Sequence, residues 1–349
     1  MKCTIQNIAD HLGLSRNAVS KALKNSSEVS ENTRNLVIKT ASKLGYKNAT
    51  FATPVIPASE TGSNGTILFL TRTYASDSEF WTTVLRGIES ILSNANYHLA
   101  ISIMSDSDLK QLNFPQTISD SSIKGIILVE ICDKVVCDAL SQFNLPIVSV
   151  DMPNVPFEEL NGIDVVTMES KKNLKKIINQ LIEKGAESFG FVGDLYSPNV
   201  SRGFQERYNA LSECLAEHQL PLNQKNCLLH QTPEDFRNFQ TTVNNLQAMI
   251  SLPDVFICGN DWTAIQLIYA LQFLGFQIPK DICVVGFDNI PAASRISPSL
   301  TTISTPQKYL GIAAARQILE RIQHPNCPHV FCQYETELII RNSTNITSF

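Results

Sequence analysis

The sequence predicts a small all-α head of the helix-turn-helix type, followed by a two-lobed α/β body of doubly wound parallel sheets. Three observations support this prediction: the net charge changes sign along the chain, the first 48 residues contain short capped helical patterns, and strand and helix patterns alternate in the remainder. The 349 residues are too many for one compact core and suit two or three domains. With 43% hydrophobic and 17% charged residues, the chain is not of a disordered or collagen-like class.

Charge distinguishes the head from the body. Of the 28 Lys and Arg residues, eight lie within residues 1–48 together with only three of the 33 acidic residues, which gives this part a net charge of +5. The remaining 20 bases and 30 acids give the rest of the chain −10. Lysine and arginine release counterions from nucleic-acid phosphates, whereas an acidic body resists non-specific adhesion to them. The head is therefore expected to bind nucleic acid.

Two short helices are predicted at the start of the head. Thr4 and Ser15 are good N-cap residues that precede apolar residues at helical spacing, and Gly13 suits the left-handed end of the first helix. The outer face of the second helix carries only polar and basic side chains, namely Arg16, Asn17, Ser20, Lys21 and Lys24. Such side chains read base edges or hold phosphates, so the second helix is the predicted DNA-reading helix.

A third helix is predicted from Ser30 to Leu44, where Gly45 and Tyr46 end it. Its residues expected to be buried are Leu36, Val37, Thr40, Ala41 and Leu44. A lone solvated helix also exposes a polar face, so that face by itself does not identify DNA binding. Two capped helices joined by a glycine turn and supported by a third form the helix-turn-helix layout, which favours DNA binding.

The head resembles the DNA-binding domain of the lactose-repressor (LacI/GalR) family of transcriptional regulators. The similar segments are TIQNIADHLGLSRNAVSKAL and VSENTRNLVIKTASKLGYK. The resemblance implies a homodimer that binds a double-stranded DNA operator, with Arg16, Asn17 and Lys21 at base-reading positions. It implies phosphate-facing positions at Thr4, Ser15, Ser20 and Tyr46. Lys21 stands where the family usually has arginine and Ala18 where it usually has threonine, so an unusual operator sequence is expected.

Residues 49–65 form a predicted linker that is rich in small residues and contains Pro54 and Pro57. In the family, this segment commonly forms a hinge helix that wedges a leucine into the minor groove and bends the DNA. Val55 occupies the wedge position here, directly after Pro54, and proline disfavours a helix interior. A hinge helix and a plain extended linker both remain open.

The body alternates apolar runs of strand length with helical patterns. Strands are predicted at residues 66–71, 99–104, 125–129, 146–150, 164–167, 189–192, 255–258 and 282–287, and helices at 80–95, 171–184, 204–218 and 262–274. Near-continuous apolar strands that alternate with helices indicate parallel sheets covered on both faces. The first lobe is expected to comprise residues 66–160 and 291–320, and the second residues 161–290 and 321–349.

Polar side chains follow six of the predicted strands. They are Arg72, Glu130, Asp151, Asp194, Asn260-Asp261 and Asp288-Asn289. Ligands of open α/β sheets bind beyond the carboxyl ends of the strands. Aspartate and asparagine are also common helix caps and loop residues, so any one of these positions has both interpretations. Their recurrence at six strand ends favours a polar cleft between the lobes.

Three segments of the body resemble the periplasmic-binding-protein-like effector domain of the same family. They are FQERYNALSECLAEHQLPL, PDVFICGNDWTAIQLIYALQFLGFQIPKDICVVGFDN and SPSLTTISTPQKYLGIAAARQILERI. The resemblance implies a small-molecule effector, a sugar, in the cleft. It implies five effector contacts, with Phe80 as the stacking ring and Arg207, Asn260, Asp288 and Asp151 as polar groups. Ala210 and Leu211 replace the Gly and aromatic residue of the family's motif after Arg207, so the pocket wall is expected to differ there.

The sequence lacks the motifs of common enzyme sites. It contains no phosphate-binding loop, nucleophile elbow or His-Glu-x-x-His motif, so neither catalysis nor a cofactor is expected. A sugar-processing enzyme with an appended DNA-binding head is the alternative, and turnover of a bound ligand would identify it. No apolar run approaches the ~20 residues of a membrane helix, and no signal peptide is recognised. A cytoplasmic regulator is therefore expected rather than a transport-type solute-binding protein.

Nine cysteines without a Cys-x-x-Cys pair are expected to be reduced thiols. His324, Cys327, His329 and Cys332 place four potential zinc ligands within nine residues. Structural zinc sites usually separate two ligand pairs by a longer loop. A turn that leads into a last strand near Val330 is therefore expected, and no metal.

Overall fold

The computed structural model describes residues 4–23, 29–30, 33, 36–37, 40–41, 63–72, 78–195, 201–230 and 238–346. The chain divides into two compact units, Met1–Gly62 and Ser63–Phe349, which contain the head and the body. Lys24, Tyr46 and the linker positions Pro54 and Val55 lie outside the described residues.

The head contains two helices close to the predicted positions: α1 spans Ile5–Leu12 and α2 spans Arg16–Leu23. The Thr4 hydroxyl caps α1 by accepting a hydrogen bond from the Asn7 N–H. Gly13 follows α1 with a φ of 65°, which glycine adopts without strain. The buried residues of the small core are Ile8, Ala9, Val19, Ala22, Val37 and Ala41.

The described residues between Thr33 and Ala41 are helical. The Ser30 hydroxyl accepts a hydrogen bond from the Thr33 N–H at 3.3 Å, as expected of the cap of the third helix. Val37 and Ala41 are fully buried, but Leu36 is 50% exposed. The prediction that Leu36 is buried is wrong, because each residue advances about 100° around a helix and Val37 sets the core face.

The first sheet of the body has six strands in the order β11-β5-β4-β3-β1-β2, and its pairings are parallel. Its strands are β1 (Thr66–Arg72), β2 (His98–Met104), β3 (Ile123–Val129), β4 (Ile147–Val150), β5 (Ile163–Met168) and β11 (Phe331–Tyr334). Its helices are α3 (Glu79–Leu92), α4 (Asp106–Gln111), α5 (Lys134–Leu140) and α10 (Gln307–Gln323). Bare glycines let α3 and α10 pack closely, since a Cβ on Gly311 would lie 2.0 Å from the Val84 carbonyl oxygen.

The second sheet has the strand order β12-β10-β9-β8-β6-β7, with β12 antiparallel to β10 and the other pairings parallel. Its strands are β6 (Phe189–Asp194), β7 (Leu228–His230), β8 (Val255–Cys258), β9 (Cys283–Asp288), β10 (Thr301–Ser304) and β12 (Glu337–Ile339). Its helices are α6 (Lys172–Glu183), α7 (Arg202–Glu217), α8 (Phe239–Ala248) and α9 (Asp261–Phe273). Short 3-10 helices lie at Gln116–Ser119, Ser141–Phe143, Phe157–Glu159, Gln224–Asn226 and Pro291–Ser294.

The chain passes between the two sheets three times: after β5, after β10 and between β11 and β12. The predicted alternation of strands and helices is confirmed, but three strands pair in the other sheet from the one predicted. β5 and β11 belong to the first sheet, although residues 161–168 and 331–334 were expected in the second lobe, and β10 belongs to the second sheet. The apolar pattern of a strand indicates its burial and does not identify its neighbour, so it could not assign these crossings.

The segment that precedes β11 is held by a buried ion pair. Arg321 Nη2 lies 2.8 Å from Asp164 Oδ1, and the guanidinium donates hydrogen bonds to the carbonyl oxygens of Pro325, Cys327 and Pro328. Burial raises the pKa of Asp164, but hydrogen bonds from Arg321 and from the Val330 N–H outweigh it, so the pKa lies below its ordinary value. The predicted turn into a strand is confirmed here.

Within the described ranges, no group of three His, Cys, Asp or Glu side chains is placed to hold a metal ion. The eight cysteines in those ranges are free thiols, as expected, and Cys3 lies outside them. No helix in the same ranges is long and apolar enough to cross a membrane.

Candidate functional site

The carboxyl ends of the strands present the predicted polar residues. β1 ends at Arg72, β6 at Asp194 and β9 at Asp288, while Glu130 and Asp151 directly follow β3 and β4. Glu130, Asp151 and Asp288 have φ angles of 57°, 69° and 116°. Non-glycine residues adopt such backbone angles at a cost in free energy, and they cluster at functional sites. The strand ends therefore hold strained as well as polar positions.

The two lobes meet beside Asp151. Pro153 forms an antiparallel bridge with Ser201, and the Arg202 N–H donates to the Met152 carbonyl oxygen at 2.9 Å. This contact brings the segment after β4 against the first turn of α7. Asp151 from the first lobe and Arg207 from α7 in the second lobe therefore lie in the same region.

Arg207 is a buried cation with incomplete hydrogen bonding. Its side chain packs over the ring of Phe287, 3.6 Å from the centroid, and Nη1 donates to the Gly259 carbonyl oxygen at 2.6 Å. The residue is 3% exposed, and within the described parts of the chain its Nε has no hydrogen-bond acceptor. Burial lowers the pKa of Arg207, although Asp288 and Asp151 act in the opposite direction. A buried donor without an acceptor suits a ligand oxygen.

The two carboxyl groups near Arg207 retain protons more strongly than usual. Burial raises the pKa of Asp288 well above its ordinary value; the charge of Arg207 opposes this shift, and Asp261 and Asp151 add to it. Burial also raises the pKa of Asp151, against a hydrogen bond from the Met152 N–H. A protonated carboxyl group both donates and accepts hydrogen bonds, which matches the hydroxyl groups of a polyol.

Ser170 is a further polar residue of this region that the sequence did not single out. A Cβ atom placed on Gly203 would lie 3.3 Å from Arg207 Nη2 and 3.5 Å from both Asp151 Oδ2 and Ser170 Oγ, so the three groups surround one point. Ser170 is 1% exposed, and its hydroxyl has no partner within the described residues. It lies two residues beyond β5, so the strand-end rule would have found it if applied to this strand.

Phe80 and Asn260 have structural contacts of their own. Phe80 is largely buried in the core and packs edge-on against Trp81, with 4.6 Å between ring centroids. Asn260 caps α9, since its Oδ1 accepts a hydrogen bond from the Thr263 N–H at 2.9 Å. A ligand contact of Asn260 would use its amide nitrogen or the second lone pair of Oδ1. The contacts in the described residues bring together Arg207, Asp151, Ser170 and Gly203, and Phe80 is not among them.

In the head, the described candidate residues other than Thr4 lie on α2 or at its cap. The Ser15 hydroxyl accepts a hydrogen bond from the Ala18 N–H at 3.1 Å and so caps the helix. Arg16 and Asn17 are exposed in the first turn, while Ser20 and Lys21 are half-buried on the next. Thr4 and Ser15 both act as caps at helix N-termini, the ends where phosphates bind, and the Thr4 N–H itself donates to Asn7 Oδ1 at 2.9 Å.

A helix-turn-helix head joined to a two-lobed domain with a polar inter-lobe region defines a DNA-binding transcriptional regulator that responds to a small molecule. The family model for bacterial regulatory proteins of the lacI family matches residues 4–48, and that for the periplasmic binding protein-like domain matches residues 178–344. The chain therefore carries a DNA-binding domain of the lacI family and a periplasmic-binding-protein-like domain, as its sequence resemblance predicted.

Relatives match over almost the whole chain. The transcriptional repressor PurR of Photobacterium profundum is 26% identical over 97% of this chain and 98% of its own length. The ribose operon repressor of Haemophilus influenzae is 26% identical over the same shares. Among solved structures, the Lac repressor dimer bound to operator and an anti-inducer superposes with a TM-score of 0.66 at 19% identity, over 99% of each chain. This last likeness supports the fold.

Proposed function

We propose that this protein is a homodimeric repressor whose binding to operator DNA is controlled by a sugar bound between the two lobes. Two buried donors without a partner among the described residues, Arg207 Nε and Ser170 Oγ, carry the effector assignment. Arg207 Nη2 and Ser170 Oγ lie with Asp151 Oδ2 around one point beside Gly203. Unpaired buried polar atoms are costly, so native proteins keep them where a ligand or water completes the bonding.

The chemistry of the site favours a neutral polyol. A guanidinium group presents a planar fork of donors that fits two neighbouring hydroxyl oxygens. Asp151 and Asp288, with their raised pKa values, can accept from or donate to further hydroxyls. The family resemblance assigns the stacking ring to Phe80, which is 7% exposed and packs against Trp81 at the start of α3, and an aromatic face of this kind suits the C–H side of a sugar.

The head reads the operator in this proposal. Arg16, Asn17 and Lys21 contact base edges, and Thr4, Ser15, Ser20, Lys24 and Tyr46 contact phosphates. Support comes from the exposed polar start of α2 and from the family match over residues 4–48. A homodimer places two such heads on the half-sites of a pseudo-palindromic operator.

Two exposed apolar surfaces on the body are suited to dimer formation. One is the outer face of α9, formed by Trp262, Tyr269 and Phe273, of which Phe273 is 68% exposed. The other is the edge strand β2, where Ile101 and Ile103 are exposed. Large exposed apolar side chains that recur on one face mark protein contacts. We assign both surfaces to the homodimer interface.

The proposal describes a non-catalytic protein that works in the cytoplasm, where its operator lies. Thermal melting of the full chain with a panel of pentoses and hexoses tests it, because a ligand that binds only the folded state raises the melting temperature. A sugar that raises the melting temperature should also change the affinity for operator DNA. Conversion of that sugar to a product would contradict the proposal and indicate a sugar-processing enzyme.

A further inference from the structure

Asp261, the first residue of α9, lies buried beneath the end of β9. Gly286 of β9 packs against it, since a Cβ atom on Gly286 would lie only 2.2 Å from Asp261 Oδ1. The bare backbone at Gly286 therefore makes room for this carboxyl group. Gly286 is two residues before Asp288, so the Asp261 carboxyl group lies close to the segment that contains Asp288, a proposed effector-binding residue.

Both oxygens of Asp261 accept hydrogen bonds that involve the residues after β9. The Ile290 N–H donates to Oδ2 at 2.9 Å. The Thr302 hydroxyl donates to Oδ1 at 2.5 Å and itself accepts a hydrogen bond from the Asn289 N–H at 3.3 Å. One buried carboxyl group thus holds the two N–H groups that follow Asp288, one directly and one through a hydroxyl.

The backbone held in this way is strained. Asp288 has a φ of 116° and Asn289 a φ of 55°. Two consecutive positive φ angles at non-glycine residues persist only where the surroundings determine them. Arg341 also contributes, because its Nη2 donates to Asn289 Oδ1 at 2.6 Å, but it binds the side chain and leaves the N–H groups to Asp261 and Thr302.

We propose that Asp261 is a positioning residue that fixes the backbone after Asp288 and thereby aims the Asp288 carboxyl group toward Arg207. This proposal rests on the proposed function in one respect, namely that the Asp288 carboxyl group binds a sugar. The backbone conformation itself is a property of the unliganded chain, and it can be tested without a ligand.

The protonation of Asp261 determines which substitution can replace it. Burial raises the pKa of Asp261 to about 7, against hydrogen bonds from Thr302 and Ile290 and the charge of Arg341. Asp288 is the other acid that faces it, and the thiol of Cys258 lies within its electrostatic influence. Asp261 therefore retains its proton to a higher pH than an ordinary aspartate does. An asparagine can accept from the Ile290 N–H and donate to the Thr302 hydroxyl, so Asp261→Asn should preserve the position.

Hydrogen exchange of the full chain, followed by mass spectrometry of peptides that cover residues 286–292, tests the proposal. Asp261→Ala and Asp261→Leu should each speed exchange at the amides of 289 and 290 by about tenfold or more, while Asp261→Asn should stay within about threefold of wild type. Thr302→Val should speed exchange at 289 more than at 290. Asp281→Ala is the control, since Asp281 accepts from the Gln277 N–H elsewhere in the lobe.

The leucine variant separates positioning from packing, because it fills the space without accepting a hydrogen bond. Protection in Asp261→Leu equal to that in Asp261→Asn would overturn the proposal, as would unchanged exchange in Asp261→Ala. A second experiment measures thermal melting with D-ribose, because one relative is a ribose operon repressor. If D-ribose raises the melting temperature of wild type, Asp261→Ala should weaken its binding about tenfold and Asp261→Asn less than threefold. If no sugar affects wild type, the proposed function fails, and the exchange result still decides the role of Asp261.

Discussion

The side chain of Arg207 is a charge held away from water with fewer hydrogen bonds than it can make. Its contact with Phe287 and its bond to the Gly259 carbonyl oxygen fix the guanidinium without neutralising it. Asp288 and Asp151 influence its pKa, yet the described contacts include no direct ion pair between Arg207 and either acid. In our proposal, an arginine in this state is organised for an incoming ligand rather than for stability.

Replacing Arg207 should therefore remove the effector response without unfolding the protein. Arg207→Met keeps much of the packing against Phe287 while removing the donors, so unliganded melting should change by only a few degrees, about the effect of 1 kcal/mol or less. The melting shift with an effector and its effect on operator binding should be lost. Glu213→Gln on the same helix, which removes surface ion pairs with Lys171 and Lys175, is the control. A large fall in unliganded melting would instead identify Arg207 as a structural residue.

Arg321 represents the opposite case, a buried charge whose partner is in place. Arg321→Met leaves the Asp164 carboxyl group without its main donor in a buried site, which should lower the free energy of unfolding by about 3–5 kcal/mol at neutral pH. Urea unfolding measures the loss, and Arg316→Met, on the exposed face of the same helix, should have little effect.

The ion pair also predicts a dependence on pH. Because the pKa of Asp164 is lowered in the folded protein, its stabilisation is present above the ordinary aspartate value near 3.8 and is lost as the pH falls through that range. The difference in unfolding midpoint between wild type and Arg321→Met should therefore shrink below about pH 4. A difference that stays constant from pH 7 to pH 3 would show that Arg321 acts through its three carbonyl contacts alone.

Single residues of the cleft could be predicted only where they obey a positional rule. Asp151 and Asp288 follow strands, so the pattern of strand ends found them. The same pattern includes Asp261 and would have found Ser170, but the contacts of both residues depend on Gly203 and Gly286, whose missing side chains have no signal in a hydrophobic pattern. The roles of these residues are set by tertiary contacts, which a single sequence does not display.

At the scale of elements, α2 carries the base-reading residues of our proposal. Lys21 lies on its second turn, and Lys21→Ala should cost about 1–3 kcal/mol at one operator position and relax discrimination there. Lys24→Ala, a phosphate contact in our proposal, should weaken binding to all sequences similarly. Binding to a series of single-base operator variants measures both effects. If Lys21→Ala lowers the affinity for all operator variants equally, Lys21 contacts a phosphate instead of a base.

Elements themselves were largely predictable, and their partners were not. Capping residues and apolar spacing located α1, α2 and the strands β1 to β6, because those signals are local. The pairing of β5, β10 and β11 depends on contacts between positions more than 150 residues apart in the case of β5 and β11. Local strand propensity does not indicate which distant strand a segment pairs with. The predicted lobe limits are therefore wrong at these three strands.

For the whole molecule, dimer formation should depend on the exposed faces of α9 and β2. Phe273→Glu together with Ile101→Asp should convert the dimer to a monomer, because each introduces a charge into an apolar contact. Analytical ultracentrifugation measures the molecular mass in solution and so distinguishes the dimer from the monomer. Operator affinity should fall by about tenfold or more, since one head alone loses the second half-site. Val135→Asp, at another exposed apolar residue of the first lobe, should leave the dimer intact.

The late return of the chain to its first sheet has a consequence during protein synthesis. β5 ends at Met168, but the helix and strand that complete its side of the sheet, α10 and β11, end at Gln323 and Tyr334. At roughly 5–20 residues per second, a ribosome needs on the order of 10–30 s to make the intervening chain. During that interval the nascent protein exposes an unpaired edge at β5 and the apolar surface that α10 later covers. The first sheet can therefore be completed only after most of the second lobe has been synthesised.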